Sequence, residues 1–217
     1  MPRITAVLLL IFPLVPLGAQ RQSVVVSGAT PEGILIQQIR DESDGAKKMA
    51  LMDEFLTRYP KHEGVPWVYS EITTTCSGMG QYDKAMAAAG KLLELDPGDL
   101  GIALAAVKAA EAKKDPDAVR QWAVRASGLA RKEAQAPKTE AEDDATFSQR
   151  VTFAKQVDAY TEYSLFNTAL QTQDPAKKAV LLGTLEKQAP ESGYWAQGEG
   201  LYFLALAQSG DMPAAVA

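Results

Sequence analysis

The sequence contains one cysteine and one histidine among its 217 residues. A single thiol cannot form an internal disulfide bond, so the fold must be stabilised by packing, and Cys76 is expected to be a small buried apolar residue. His62 lies in the stretch RYPKHEG, and no second residue stands near it at a spacing suited to a metal site or a proton relay. We therefore expect His62 to be a solvent-facing loop residue.

Signatures of catalysis and of nucleic-acid binding are also missing. The sequence has no glycine-rich phosphate loop, no serine-elbow pattern and no paired cysteine motif. Its 22 basic and 27 acidic residues give a net charge of −5, which disfavours binding to a phosphate backbone. The acidic run at residues 140–144 lacks the spaced ligands and glycine turn of a calcium loop, so we interpret it as solvated surface. These observations predict no catalytic residues, no cofactor, no metal and no nucleic-acid partner.

The longest apolar run is at the N-terminus. Arg3 precedes an apolar run from Ile4 to Leu17, and the small residues Gly18 and Ala19 follow. This order is typical of a secretory signal peptide spanning residues 1–19. The run is short for a bilayer and contains two prolines, so an uncleaved membrane anchor is the less favoured alternative. The pattern predicts a bacterial-type exported protein, periplasmic or at the cell surface, with no stable membrane span and an extended segment at residues 20–29.

One segment of the sequence recurs after 130 residues. DGAKKMALMDEFLTRYP begins at Asp44, and DPAKKAVLLGTLEKQAP begins at Asp174. The same offset places Gly80 on Gly210, so that GQYDKAMA aligns with GDMPAAVA. An offset of 130 residues would hold about four units of 32 to 33 residues, a length typical of helical-pair repeats.

The clearest helical pair lies at residues 66–99. GQYDKAMAAAGKLLELDP contains a turn at Gly80, an alanine-rich amphipathic helix and a stop at Pro97. The preceding stretch PWVYSEITTTCSG has its apolar residues at the spacing of a second helix. Two antiparallel helices joined near Gly80 form an αα-hairpin.

This hairpin resembles the tetratricopeptide repeat. Four positions of a 34-residue unit carry residues of the type that the family has there: Tyr69, Ile72, Ala85 and Pro97. Thr73 and Cys76 depart from the family's usual glycine and tyrosine. The resemblance implies an all-α fold, a right-handed solenoid of antiparallel helical hairpins.

The resemblance also divides the chain into units. Residues 30–132 would form repeats 1–3, residues 133–144 a polar linker, and residues 145–217 repeat 4 with an incomplete repeat 5. Because the last unit stops within its second helix, we expect the natural protein to continue beyond Ala217.

In the resembled family, the first helix of each unit lines a concave groove. Carried over to this chain, the groove positions are Trp67, Ser70, Thr74, Ser77, Leu104, Lys108, Glu111, Tyr160, Tyr163, Asn167 and Gln171. The sequence leaves open whether Trp67 and Tyr163 face this groove or the core.

A groove without catalytic groups favours a non-enzymatic scaffold that binds a protein or peptide of unknown identity. Two alternatives stay open from the sequence. The chain could be the accessory repeat region of a larger exported enzyme or envelope assembly, with its active module beyond residue 217. It could also be a structural envelope component that only spaces other modules.

Overall fold

The computed structural model describes residues 30–210, and every regular element in this part of the chain is an α-helix. The all-α prediction is confirmed. The helices are α1 (Pro31–Asp41), α2 (Gly45–Arg58), α3 (Val65–Gly78), α4 (Tyr82–Leu95), α5 (Leu100–Lys113), α6 (Pro116–Gln135), α7 (Asp144–Gln171), α8 (Pro175–Gln188) and α9 (Gly193–Ser209). The predicted signal peptide, the segment at residues 20–29 and the final residues 211–217 lie outside the described part.

Helices that follow one another in the sequence pack against one another throughout the described chain. A second set of contacts joins α3 to α5, α5 to α7 and α7 to α9, so alternate helices form a continuous row. The helices α6 and α8 also touch. The core is therefore built from contacts between elements that are close in sequence.

Small side chains allow these helices to approach closely. Many of the fully buried residues between α4 and α7 are alanines, including Ala85, Ala89, Ala103, Ala106, Ala110, Ala123, Ala126, Ala130 and Ala154. Larger side chains such as Phe55, Leu92 and Leu165 fill the remaining volume without exposure to solvent. Alanine also has the highest intrinsic helix propensity, so the same residues favour both the helices and their close packing.

The 130-residue recurrence in the sequence is also a recurrence in local structure. The helices α2 and α8 each contain 14 residues, and both ends of α8 lie 130 residues after those of α2. Asp44 and Asp174 cap the two helices, and each accepts backbone N–H hydrogen bonds at distances between 2.9 and 3.3 Å. Phe55 and Leu185, which are equivalent in this register, are both fully buried.

The two glycines paired by the same offset have similar backbone conformations. Gly80 has a φ angle of 71° after α3, and Gly210 has a φ angle of 85° after α9. This left-handed region carries little cost for glycine and strains most other residues, which explains why glycine occupies both helix ends.

The helices α6 and α7 are longer than their neighbours, with 20 and 28 residues. The connection between them spans residues 136–143, shorter than the predicted linker at residues 133–144, because α6 continues to Gln135 and α7 begins at Asp144. Asp158 of α7 joins the pair by accepting hydrogen bonds from Ser127 Oγ at 2.6 Å and Arg131 Nε at 2.9 Å.

Arg150 holds this connection in place. Its guanidinium donates to the backbone carbonyls of Glu133 at 2.9 Å and Pro137 at 3.1 Å, near the C-terminal end of α6. Its Nε donates to Glu142 Oε1 at 2.6 Å. The acidic run at residues 140–144 is thus a surface segment that is tied down through Glu142, while its other members are exposed.

Replacing Phe55 tests the equivalence of α2 and α8. Phe55→Ala removes a fully buried ring and should lower the free energy of unfolding by about 3–5 kcal/mol. Phe55→Leu introduces the residue found at the equivalent position of α8 and should cost about 1–2 kcal/mol, because less volume is lost. Urea denaturation measures both values. Leu95→Ala, at a side chain that is 54% exposed, is the control and should change the value by less than about 0.5 kcal/mol. Equal losses for the two Phe55 variants would contradict the equivalence.

The contact between Arg150 and Glu142 should change the acid titration of the Glu142 carboxyl group. Hydrogen bonds from Arg150 and then from Thr139 lower the pKa of Glu142 from 4.5 to about 2. A depressed pKa means that this interaction stabilises the folded state fully above pH 4.5 and is lost as the pH falls towards 2. A carboxyl NMR titration should give Glu142 a midpoint near pH 2, and Arg150→Ala should move it upwards. Gln149→Ala, beside Arg150, should leave the midpoint in place. A Glu142 midpoint that Arg150→Ala does not move would refute the assignment.

Candidate functional site

A cleft of about 720 Å³ lies where α7 faces the junction of α5 and α6. Four parts of the chain line it: the end of α5, the start of α6, the second half of α7, and the connection from α7 into α8. The lining residues are Glu111, Lys114, Pro116, Val119, Tyr160, Tyr163, Asn167, Thr168, Gln171, Thr172, Gln173, Asp174 and Lys177.

The second half of α7 presents its cleft residues as one line. Tyr160, Tyr163, Asn167 and Gln171 follow at intervals of three, four and four residues, which places them on one helical face. The buried residues of this half lie on another face and include Thr161, Ser164, Leu165 and Ala169. Packing of that apolar and small face orients the aromatic and amide side chains into the cleft.

Tyr160 connects α7 to α5 at one end of the cleft. Its hydroxyl donates a hydrogen bond of 2.6 Å to Glu111 Oε2, and the Lys108 ammonium lies 5.7 Å from the centre of its ring. Burial, together with this bond to the Glu111 carboxylate, raises the pKa of Tyr160 well above its ordinary value. The phenol therefore stays protonated, and its ring orientation is set by two residues of α5.

Aromatic rings continue from Tyr160 across α7 to α9. The ring centres of Tyr160 and Tyr163 are 6.0 Å apart, with the planes tilted by 49°. Those of Tyr163 and Tyr194 are 5.9 Å apart, with a tilt of 61°. Tyr194 also packs against Phe166 at 5.7 Å. We call Tyr160, Tyr163 and Tyr194 the tyrosine series; neighbouring rings in it are tilted relative to one another.

The position of Tyr194 depends on the start of α9. Ser192 caps this helix by accepting from the Tyr194 backbone N–H at 3.2 Å, and its hydroxyl donates to Glu162 of α7 at 2.7 Å. The cap therefore fixes the start of α9 against α7 and brings Tyr194 beside Tyr163.

The charged groups around the cleft are largely matched within the protein. Lys177 pairs with Asp117 at 2.8 Å. Asp115 and Asp174 occupy the N-terminal N–H groups of α6 and α8, where a bound anion could otherwise sit. By contrast, the side-chain amides of Asn167 and Gln171 and the Tyr163 hydroxyl make no hydrogen bond to another residue between 30 and 210. Exposed Lys114 has no ion-pair partner in the described chain, and the other unused polar groups of the cleft are neutral.

The structure brings together only part of the predicted groove. Glu111, Tyr160, Tyr163, Asn167 and Gln171 line the cleft, and exposed Lys108 lies at its edge over the Tyr160 ring. The residues predicted on α3 do not line it: Trp67, Ser70, Thr74 and Ser77.

On α3, Trp67 is half-buried and packs against the main core, and the Arg40 guanidinium lies 5.3 Å from its ring centre. Thr74 is exposed, and its hydroxyl donates to the backbone carbonyl of Ser70 at 3.2 Å. Ser70 and Ser77 are half-buried. Trp67 therefore contributes to the core and keeps only part of its surface for solvent.

Two predictions from the sequence were wrong. Leu104 was expected to face the groove but is buried at 6% exposure, because most of α5 is apolar and packs against α3, α4, α6 and α7. His62 was expected to face solvent but is half-buried. Its Nδ1 accepts the Gly64 backbone N–H at 2.9 Å, and its ring meets Phe55 edge-on at 5.5 Å. The burial predicted for Cys76 is confirmed, and it raises the pKa of the thiol.

Tyr194, Thr168, Thr172 and Lys177 are functional candidates that sequence reasoning missed. Tyr194 lies on a different helix, α9, and comes beside Tyr163 only through the contact between α7 and α9. The only sequence signal at Lys177 was that it is one of the lysines shared by the two copies of the 130-residue recurrence. Neither position follows from the spacing within one helix.

Between residues 30 and 210, no group of three histidine, cysteine, aspartate or glutamate side chains is placed to hold a metal ion. The same part of the chain contains no helix with the length and apolar character needed to cross a membrane.

A scan against protein-family models finds no match to this chain, and a search of curated proteins finds no relative. The resemblance to the tetratricopeptide repeat therefore depends on the residues of this sequence alone.

The bond between Tyr160 and Glu111 gives a test of the cleft geometry. A double-mutant cycle of Tyr160→Phe and Glu111→Ala should show a coupling energy of about 0.5–1.5 kcal/mol, because each variant removes one partner of a half-buried hydrogen bond to a carboxylate. Urea denaturation of the four proteins measures it. Tyr163→Phe is the matched control: its hydroxyl has no partner in the described chain, so its effect should stay below about 0.5 kcal/mol. A coupling near zero would rule out the bond in solution.

Proposed function

We propose that this chain is an exported, non-enzymatic scaffold of the tetratricopeptide type that binds an extended peptide or protein segment in the cleft beside α7. The proposed architecture is a right-handed solenoid of antiparallel helical hairpins, formed by α1 with α2, α3 with α4, α5 with α6, and α7 with α8. Export is proposed from the signal-peptide pattern in residues 1–19.

The order of the helices supports the repeat architecture. The first helices of the first three pairs begin at Pro31, Val65 and Leu100, at spacings of 34 and 35 residues. Contacts between alternate helices, from α3 to α9, are those expected when hairpins stack side by side. The matched ends of α2 and α8 add a repeat of local structure to the repeat of sequence.

A single observation carries the binding function. Glu111 and Tyr160 are 49 residues apart in the sequence, were both predicted to face a groove, and meet in one cleft with Tyr163 and Asn167. The cleft volume of about 720 Å³ lies within the range typical of ligand sites. Rigid tyrosines and unused amides are also typical of recognition surfaces.

The residues that line the cleft favour ligand binding over catalysis. Its carboxylates already have structural partners: Glu111 accepts from Tyr160, and Asp174 caps α8. The other polar groups at the cleft are mostly hydroxyls and amides, and none is paired with a histidine or cysteine base among the lining residues. Such groups can orient a ligand through hydrogen bonds without transferring protons.

Site-specific photo-crosslinking tests this function. A photoreactive amino acid at Gln171, which is exposed and lines the cleft, should crosslink to a peptide or protein partner in the compartment where the protein accumulates. The same amino acid at Gln121, exposed on α6 outside the cleft, is the matched control and should give much less product. Mass spectrometry of the crosslinked species identifies the partner. Absence of any product specific to position 171 would count against the proposal.

A further inference from the structure

Lys114 has a backbone conformation that glycine adopts elsewhere in the structure. It follows α5 with a φ angle of 60°, and among residues 30–210 it is the one residue other than glycine with a positive φ angle. The left-handed region brings the Cβ of an L-residue close to the backbone, so it costs free energy for lysine and little for glycine. Backbone strain of this kind is retained where the side chain has a role, which makes Lys114 a functional candidate.

The position of Lys114 is equivalent to that of Gly80. The two residues are 34 positions apart, which is also the spacing between the starts of α4 and α6. The backbone N–H of the following residue donates to the carbonyl oxygen five residues earlier, at 2.8 Å after Gly80 and at 3.2 Å after Lys114. This pattern is the Schellman motif, in which glycine is the usual residue. The turn after α5 therefore does not by itself explain the lysine.

The side chain of Lys114 lines the cleft without an ionic partner. It is exposed and makes no ion pair with another residue between 30 and 210. The preceding lysine, Lys113, is by contrast held by Asp83 at 2.7 Å and by Asp115 at 3.0 Å. Lys113 thus contributes to the structure, and the Lys114 ammonium is available to a ligand.

The other charges in the lining already have partners. Its second lysine, Lys177, pairs with Asp117 at 2.8 Å. Its two carboxylates also have donors, because Glu111 accepts from Tyr160 and Asp174 accepts from backbone N–H groups at the start of α8. A ligand with one carboxylate would therefore complete the charge balance of the cleft. A ligand with several would meet no further unpaired cation among the lining residues.

Neutral groups in the same cleft suit the backbone of such a ligand. Asn167 and Gln171 are one helical turn apart in the lining, and their side-chain amides make no hydrogen bond to another described residue. A side-chain amide can donate to a peptide carbonyl oxygen and accept from a peptide N–H. The cleft therefore combines groups that contact any extended backbone with one group that selects for charge.

An acidic side chain fits this site better than the carboxylate of a chain terminus. Terminal carboxylates are captured by groups of backbone N–H donors. At the two helix starts beside the cleft, Asp115 and Asp174 occupy these donors as caps of α6 and α8. Lysine is a flexible point charge, so it can reach a carboxylate on an internal residue of an extended segment.

Resting on the proposed function, we infer that the cleft selects a peptide segment with one internal aspartate or glutamate, whose carboxylate pairs with Lys114. The amides of Asn167 and Gln171 contact the backbone of the same segment. Lys114 is the specificity-determining residue of the cleft, and this role accounts for a lysine at a glycine position.

Selection from a random peptide library tests the inference without a known partner. Displayed heptapeptides are selected on the purified wild-type protein, on Lys114→Gln and on Lys132→Gln. Lys132, an exposed lysine of α6 outside the cleft, is the matched control. Peptides with one acidic residue should be at least about threefold more frequent after selection on the wild type or the control than on Lys114→Gln.

A synthetic peptide from this selection then measures the pair itself by fluorescence anisotropy. Replacing its acidic residue by the matching amide should weaken binding to the wild type by about threefold to fivefold and leave binding to Lys114→Gln unchanged. The difference should nearly vanish at about 0.5 M salt, because ions screen an exposed pair. Amidation of the peptide's C-terminus should have no effect, which separates the side chain from the chain terminus.

Lys114→Gly separates a ligand role from a structural one. Glycine relieves the left-handed backbone, so the midpoint of urea denaturation should rise, while binding of the acidic peptide should fall as in Lys114→Gln. Gly80→Lys is the matched control for the backbone, because Gly80 has open space around it and lies outside the cleft. It should lower the urea midpoint and leave the peptide affinity unchanged.

Equal acidic content after selection on the wild type and on Lys114→Gln would overturn the inference. A peptide affinity that ignores the acidic residue, or that falls when the C-terminus is amidated, would also overturn it. A lower urea midpoint with unchanged peptide affinity in Lys114→Gly would make Lys114 a structural residue.

Failure of the inference is distinguishable from failure of the proposed function. Crosslinking at Gln171 that Lys114→Gln does not reduce would leave the scaffold proposal intact and remove only the acidic ligand. Failure of every library peptide to bind the wild type, with no crosslinking at Gln171, would remove both.

Discussion

The packing of α7 is the constraint on which the rest of the structure depends. This helix contacts α5, α6, α8 and α9, and their close approach requires small side chains on its buried face. Ala154, Val157, Ser164 and Ala169 meet that requirement, because small side chains let several neighbouring helices approach one axis. If α7 were rotated, its polar and aromatic face would leave the cleft and enter the core. The orientation of the candidate site therefore follows from the packing of the side chains opposite to it.

The same packing gives the cleft its chemical character. The bond from Tyr160 to Glu111 and the caps by Asp115 and Asp174 use most of the charged groups for structure. Lys114, tyrosine rings and neutral amides are left for a ligand, and the rings and amides stand on a helix held on several sides. Such a surface is consistent with the proposed binding of an extended chain, since its contact groups lose little freedom when a ligand binds.

Local features of the structure were predictable, and features that depend on several helices were less so. The ends of α2 and α8 follow from their aspartate caps, and the turn after α3 follows from Gly80, because these interactions lie within a few residues of one another. Leu104 was misplaced because the family pattern assigns one exposed face to each first helix, whereas α5 is covered on most sides. His62 was misplaced because its loop folds back on the preceding helix α2, where its ring meets Phe55.

The sequence by itself determined that the described chain is helical, that one helix recurs after 130 residues, and that the line from Tyr160 to Gln171 shares a face. These properties follow from capping, helical periodicity and residue type, which act over short stretches of chain. Only the tertiary structure decided that Glu111 meets Tyr160, that Tyr194 joins the tyrosine series, and that the α3 positions lie away from the cleft. Each of these depends on how closely two separate helices approach, and that distance is set by the combined volume of the side chains between them.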